Sequence, residues 1–408
     1  MLNLLISNLI ITMEQYIVSS NSALELKLVR KPSDINDPKA AFYPDMTYQV
    51  FGNMEKIFGY KDLVVKMYYT ACSLKLYINI NYSSKVDSEK FGMNPDNIME
   101  KLKDYITPNF HTNIDVFEKC LEDEPLFKPY GIQLDQFILN HNDENKKFEV
   151  YVIENENNEF KEYFDQLQTF VLWYIDSSNT IDFDDTKWKI FILYEIFKNE
   201  NGDSCYTPVG YSTIYEYYAY PDKIRPRISQ MLILPPFQRK GLCAKLLNSV
   251  YKHYATKSDV IDITVESPND EFQLVRDFVD VTNFHNLKTF DEVKLKKLHY
   301  QEMVEEFKNL YKINQKQVRR VIEIILLKIT NRQNKDEYEK YKKFVKARLN
   351  WPFQKKPTKI MLAMPAEEAE KIQKADSLVK LEDLDIEYNE LEPSYDKVIK
   401  RLEVSPNV

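Results

Sequence analysis

The order of residues predicts an α+β fold built on a mixed, mostly antiparallel sheet with flanking helices. Three observations carry that expectation. Between 148 and 234 one strand pattern follows another, which suits an antiparallel sheet better than βαβ repetition. From about 288 onward the apolar residues recur at helical spacing, with Val318, Val321, Ile322, Ile325 and Leu326 on one face. Ahead of both, residues 13–126 mix short strands with a helix and form a separate N-terminal α+β domain.

Taken in order, residues 1–12 are apolar but broken by Asn3 and Asn8, and predict a short N-terminal extension. They have no basic leader and are too short to span a bilayer, which needs roughly 20 apolar residues. Within 13–126 the patterns predict strands at 23–30 and 64–80 and a helix over 97–105; Leu74, Leu76, Ile78 and Ile80 alternate as a half-buried strand should. Residues 127–285 form the next domain. They read as a strand at 148–153, a Phe- and Leu-rich helix over 162–175, and strands at 188–197, 209–218 and 227–234. Asn201-Gly202-Asp203 marks a turn between two of these strands. Residues 286–350 predict a helical domain, in which Tyr338, Tyr341, Phe344 and Val345 mark a second helical face. Beyond Trp351-Pro352, residues 351–408 carry Pro357, Pro365 and an acidic helical pattern, expected to be a solvated tail.

Composition narrows the function classes. A net charge of −8 argues against general phosphate-backbone binding and favours basic partners, such as Lys- and Arg-rich peptides. Cys72, Cys120, Cys205 and Cys243 are scattered without a CxxC pair, so reduced thiols and no metal are expected. The chain has only seven glycines, which makes Gly241 less of a compositional accident.

The segment 228–244 is the most informative. An apolar strand containing Met231, Leu232 and Ile233 is stopped by Pro235-Pro236, since proline cannot donate to the ladder. Gln238, Arg239, Lys240 and Gly241 follow. Cys243, Leu246, Leu247, Val250 and Tyr254 then define an amphipathic helix, with Leu242 and Ala244 in its first turn. Unpaired N–H groups at a helix start, together with the macrodipole, suit a diphosphate. A strand–glycine–helix turn is also an ordinary structural device, and Cys243 an ordinary buried thiol. The next strand pattern, 260–266, puts Ile261, Ile263 and Val265 on one side and ends at Glu266. Ser267-Pro268 closes it, and Asn269 can cap the helix that follows. A lysine amine needs a base at neutral pH, and Glu266 is a candidate, as is Asp176 near a helix end. Either carboxylate could equally be a solvated surface group.

The Gln238-x-x-Gly241-x-Cys243 run resembles the acetyl-CoA loop of the GNAT superfamily. The wider pattern is similar to the type B histone acetyltransferase catalytic subunits. The blocks are Leu24-Glu25-Leu26-Lys27-Leu28-Val29-Arg30, Phe58-Gly59-Tyr60-Lys61, Tyr220-Pro221-Asp222-Lys223-Ile224-Arg225-Pro226-Arg227, Asp262-Ile263-Thr264, Leu274-Val275-Arg276-Asp277-Phe278, and Lys312-Ile313-Asn314 with Arg319-Arg320. The resemblance covers about 22–351 and implies a GNAT core. It also implies acetyl transfer from acetyl-CoA to lysines of the newly made histone H4 tail, with H3 as co-partner, a WD-repeat histone chaperone subunit, and residence in nucleus and cytoplasm.

By position it implies backbone bonds from Met231, Leu232 and Ile233 to the cofactor, pyrophosphate binding by 238–244, and Asn269 near the reactive end. It implies Glu266 as general base, Asp176 where relatives have Glu, and a histone groove of Asn53, Met54, Glu55, Trp188, Tyr215, Glu216 and Tyr217. Ser267 departs from the usual Asp. Other readings left open are another protein or small-amine acceptor, and a histone-binding scaffold with weak catalysis.

Overall fold

The computed structural model describes residues 13–141, 144–154, 157–350 and 366–404. The expected extension 1–12 lies outside them, as do 351–365 with Trp351, Pro352, Pro357 and Pro365. The chain divides into two compact units, one of Met1–Tyr217 with Pro226–Ser249, the other of Tyr218–Arg225 with Val250–Val408.

Beside two short two-stranded sheets, two large ones organise the first unit. In the N-terminal one, β1 (Leu24–Val29) pairs in parallel with β3 (Val64–Thr70) and antiparallel with β2 (Ala41–Phe42). β4 (Leu76–Asn81) and β5 (Phe110–His111) extend it, in the order β2-β1-β3-β4-β5. Leu24, Leu26, Val29, Val65 and Met67 of this sheet are fully buried. The single strand expected over 64–80 is two, because the chain turns at 71–75, where Leu74 has φ +58°.

The second sheet is a meander of long strands: β6 (Ile132–His141), β7 (Glu144–Ile153), β8 (Trp188–Lys198), β9 (Ser204–Ala219) and β10 (Lys223–Ile233). The β6–β7, β7–β8 and β8–β9 pairs are antiparallel. The Asn201-Gly202-Asp203 turn stands where the sequence puts it, with Gly202 N–H donating to Asn199 O. The sheets meet within the unit: Thr207 Oγ1 donates to Ala71 O at 2.6 Å, and the Tyr69 and Phe170 rings lie 4.8 Å apart.

The helix expected over 162–175 is two: α1 (Asn158–Gln168) and α2 (Val171–Tyr174). The chain breaks at Thr169–Phe170, yet Phe170, Val171 and Trp173 are all fully buried. An apolar run therefore marked burial there rather than helical continuity. After β10, Pro235 opens a short 3₁₀ turn and α3 (Leu242–Ala255) begins one residue past Gly241.

In the second unit the strand expected over 260–266 shrinks to β11 (Thr264–Val265). The residues ahead of it make only isolated bridges, Ile224 to Val260 and Ile263 to Ile313. Ile261, expected on the apolar side, is 43% exposed. The longer helices are α4 (Asp270–His285), α5 (Gln301–Tyr311), α6 (Gln315–Ile329), α7 (Lys335–Leu349) and α8 (Ala366–Val404). Val318, Val321, Ile322 and Ile325 are buried as the periodicity predicts. The tail is helical but not merely solvated: Tyr388, Tyr395 and Val398 of α8 are buried, and the helix packs against α4, α6 and α7. No helix among the described residues is long and apolar enough to cross a membrane.

Candidate active site

The loop between β10 and α3 has the geometry of an anion cradle. Gln238 Nε2 donates to Ile233 O at 2.9 Å, folding the loop back on its own strand. Lys240 Nζ donates to Pro236 O at 2.8 Å. Arg239 and Gly241 both adopt left-handed backbone, φ +61° and +79°. A side chain on Gly241 would meet no heavy atom within 4 Å. Backbone conformation, not crowding, therefore requires the glycine, and open space lies where its Cβ would stand, one residue before the first turn of α3, whose N–H groups lack helical partners. The residues present thus fit a diphosphate. Leu242 and Ala244 are buried beneath that turn, while Cys243 is half-buried. Gly210 of β9 sits under the strand end, where a Cβ would come within 2.3 Å of Leu232 O.

Sequence reasoning found Arg239 and Lys240 but missed two further cations beside this loop, Arg30 and Lys146. Arg30, at the end of β1, donates to Glu195 at 2.8 Å and lies 5.9 Å from the Phe237 ring. Lys146 of β7 approaches Glu195 at 3.3 Å. Burial pushes the Glu195 carboxyl up, but Arg30 and Lys146 outweigh it and hold it below its ordinary value. Burial lowers the Lys240 ammonium, with repulsion from Lys146 and Arg30 adding to it and Glu195 opposing. Arg30 and Lys146 thus share one buried carboxylate beside Lys240 of the loop. Their separation in sequence left no local signal.

A second constellation lies in the same unit. Tyr48 Oη donates to Asp176 Oδ1 at 2.6 Å, and Ser177 N–H donates to Tyr48 Oη at 2.8 Å. Gln49 Nε2 donates to Ser178 O, and Gln230 Nε2 donates to Asn179 O at 2.7 Å. The Asp176 segment is therefore tied both to the short helix Tyr48–Phe51 and to β10 beside Met231. Tyr48, Gln49 and Gln230 had no sequence signal beyond ordinary composition.

The turn after Tyr48–Phe51 carries Asn53 and Met54, both exposed. The Glu55 carboxylate already accepts from Thr47 N–H at 2.6 Å and Asn21 Nδ2 at 3.1 Å, so it shapes the turn. Trp188 pairs with Tyr215 across β8 and β9, their rings 5.0 Å apart, and Tyr217 stands 4.6 Å from Tyr215. Tyr215 Oη donates to Asp185 Oδ2 at 2.7 Å, which lowers the Asp185 carboxyl and raises the phenol. Arg227 lies over the Tyr217 ring at 4.6 Å, so part of that aromatic wall already holds an internal cation. Glu216 is half-buried, its N–H donating to Lys187 O at 3.0 Å. Tyr211 is fully buried beside Phe164, a core residue.

In the second unit, Glu266 is exposed at the bend just past β11, followed by Ser267 with φ +36°. Asn269 Oδ1 accepts from Phe272 N–H at 2.8 Å, the N-cap bond that starts α4. Asp262 of the same approach takes Arg225 Nε at 2.5 Å. Among the described residues no group of His, Cys, Asp and Glu is arranged to hold a metal ion.

Comparison with known proteins bears on what this arrangement does. Residues 16–176 match the family described as "Histone acetyl transferase HAT1 N-terminus", and 276–327 the one described as "Histone acetyltransferase type B catalytic subunit, C-terminal". The chain is similar to the histone acetyltransferase type B catalytic subunit of Rattus norvegicus, 37% identical over 394 residues, 95% of this chain and 94% of the relative. The Homo sapiens protein of the same description gives the same figures. A Dictyostelium discoideum relative is 36% identical over 320 residues, 76% of this chain and 64% of that protein. A crystal structure of an aminoglycoside acetyltransferase from an uncultured soil metagenomic sample, in complex with sisomicin, covers 31% of this chain and is itself covered to 82%. At 18% identity and a TM-score of 0.23, that likeness decides nothing about activity. Identity of this order along nearly the whole length does: the chain belongs to the type B histone acetyltransferase catalytic subunits and is an acetyl-transferring enzyme.

Proposed function

We propose that this enzyme transfers acetyl from acetyl-CoA to lysines of the newly made histone H4 tail. The observation that carries the cofactor half is the left-handed Gly241, with open space at its Cβ position, directly before the first turn of α3. Met231, Leu232 and Ile233 would line the pantetheine with strand backbone. Gln238, Arg239, Lys240, Gly241, Leu242, Cys243 and Ala244 would hold the pyrophosphate, with Lys146 and Arg30 adding charge. Bound there, acetyl-CoA supplies an activated thioester.

Glu266 takes the proton from the incoming ammonium, as an amine with a reference pKa near 10.4 requires. Asp176, oriented by Tyr48, is the second carboxylate. Trp188, Tyr215 and Tyr217, with Asn53, Met54, Glu55 and Glu216, form the acceptor groove, and the net charge of −8 favours a basic tail. Asn269, engaged as a cap, supports the site by fixing the start of α4 close after Glu266. The histone reading carries with it an H3–H4 pair as the natural substrate, a WD-repeat chaperone as partner, and work in both nucleus and cytoplasm.

Glu266→Gln tests the mechanism. Turnover on an H4 tail peptide should fall by about 10²-fold or more while acetyl-CoA affinity stays unchanged. Unaltered turnover would move the base assignment to Asp176. A preference for spermidine over the H4 peptide would remove the histone assignment.

A further inference from the structure

A cleft lies in the first unit, beside α1. Ser73, Lys75, Thr107, Phe127, Tyr130 and the α1 residues Glu159, Glu162, Tyr163, Asp165 and Gln166 border this cleft of about 460 Å³. Such a volume falls in the range that takes a side chain or small ligand. Glu159, Glu162 and Asp165 recur every three residues, and so line one side of the helix. The same cleft is lined by an aromatic group: Phe127 stacks on Tyr163 at 5.2 Å, and Tyr130 lies 5.3 Å from Tyr163 and 5.9 Å from Phe127. Glu159 and Glu162 are exposed and take no ion-pair partner among the described residues. The one cation on the rim, Lys75, is drawn toward Asp123 at 3.9 Å.

An independent feature points to a donor ligand. Gln166 is 8% exposed; its Nε2 donates to Thr107 Oγ1, but its Oε1 has no hydrogen-bond partner. A buried carbonyl oxygen left without a donor costs free energy, and native proteins rarely leave one so. Carboxylates, ring faces and a lone amide acceptor all select the same chemistry, a cation that carries several N–H donors.

We propose that this cleft binds a lysine or arginine side chain of a basic peptide, as a docking site separate from the acetyl-acceptor groove. The choice of a peptide rests on the histone reading above; the preference for a cation does not. Glu159 and Glu162 supply the long-range attraction, the rings cover the aliphatic stem, and Gln166 Oε1 accepts from the head group.

The test uses the full chain without acetyl-CoA, so that binding is read apart from catalysis. The Glu159→Gln/Glu162→Gln double variant, whose changes are both on the surface, should bind a Lys/Arg-rich peptide about three- to tenfold more weakly by calorimetry, given the modest worth of exposed ion pairs. Tyr130→Leu should weaken it further, and replacing the peptide's cations with norleucine and citrulline should abolish the difference between wild type and variant. Equal affinity of wild type and double variant, with unchanged thermal melts, would overturn the proposal. Spermidine displacing the peptide at equal concentration would reassign the cleft to free polyamines and overturn the peptide. Unaltered H4 turnover in Glu266→Gln, the result that would move the base assignment, would leave these outcomes unaffected, so the two readings fail separately.

Discussion

Gly241 shows how much one residue decides. Its left-handed φ of +79° lets the chain leave the 3₁₀ turn and enter α3, with open space where a Cβ would stand. A β-branched residue pays about 1–2 kcal/mol in that conformation, or shifts the helix start. Gly241→Val should therefore weaken acetyl-CoA binding by about tenfold or more, measured by calorimetry, while the fold holds. The motif made this glycine legible from the sequence. Tyr48 was not legible, because the carboxylate it orients, Asp176, lies 128 residues away. The same distance problem hid Arg30, whose partner Glu195 is 165 residues on.

At the scale of elements, the helices of the second unit are fastened by buried charge. Glu323 of α6 is 1% exposed and accepts from Arg348 of α7 at 2.5 and 2.9 Å and from Tyr395 of α8 at 2.8 Å. Burial pushes its carboxyl up, against the pull of Arg348 and Tyr395. Removing one partner leaves a buried charge exposed to little compensation. Arg348→Ala should cost about 3 kcal/mol in urea unfolding, whereas Glu323→Gln with Arg348→Met should recover much of that loss. The apolar periodicity announced α6 and α7, but nothing in it announced that Glu323 points inward. A Glu within a buried face reads as an exception until its partners are known.

At the scale of the whole molecule, stability against pH follows from a carboxyl the chain buries. Asp280 of α4 is 0% exposed; burial raises it to about 7, with Arg276 opposing at 3.6 Å, and neither oxygen has a hydrogen-bond partner among the described residues. An unfolded Asp titrates near 3.9. Between about pH 4 and pH 7 the folded chain holds a proton the unfolded chain has released, so Asp280 makes stability fall as pH rises through that window and level off above it. Asp280→Asn should remove that slope: its melting temperature should gain on wild type from pH 5 to pH 8, by calorimetric scans. What the sequence by itself determined is what short-range physics writes: the proline stop after β10, the glycine before α3, the Asn269 cap, the amphipathic faces of α3 and α6, and the family pattern. These depend on backbone sterics and on neighbours within a turn or two. Only the tertiary structure decided where α1 ends and α2 begins, how short β11 is, which cations gather beside the loop, that the tail packs rather than floats, and that α1 faces an aromatic cleft. Each of those depends on partners supplied from elsewhere in the chain, and no local pattern encodes which partner arrives.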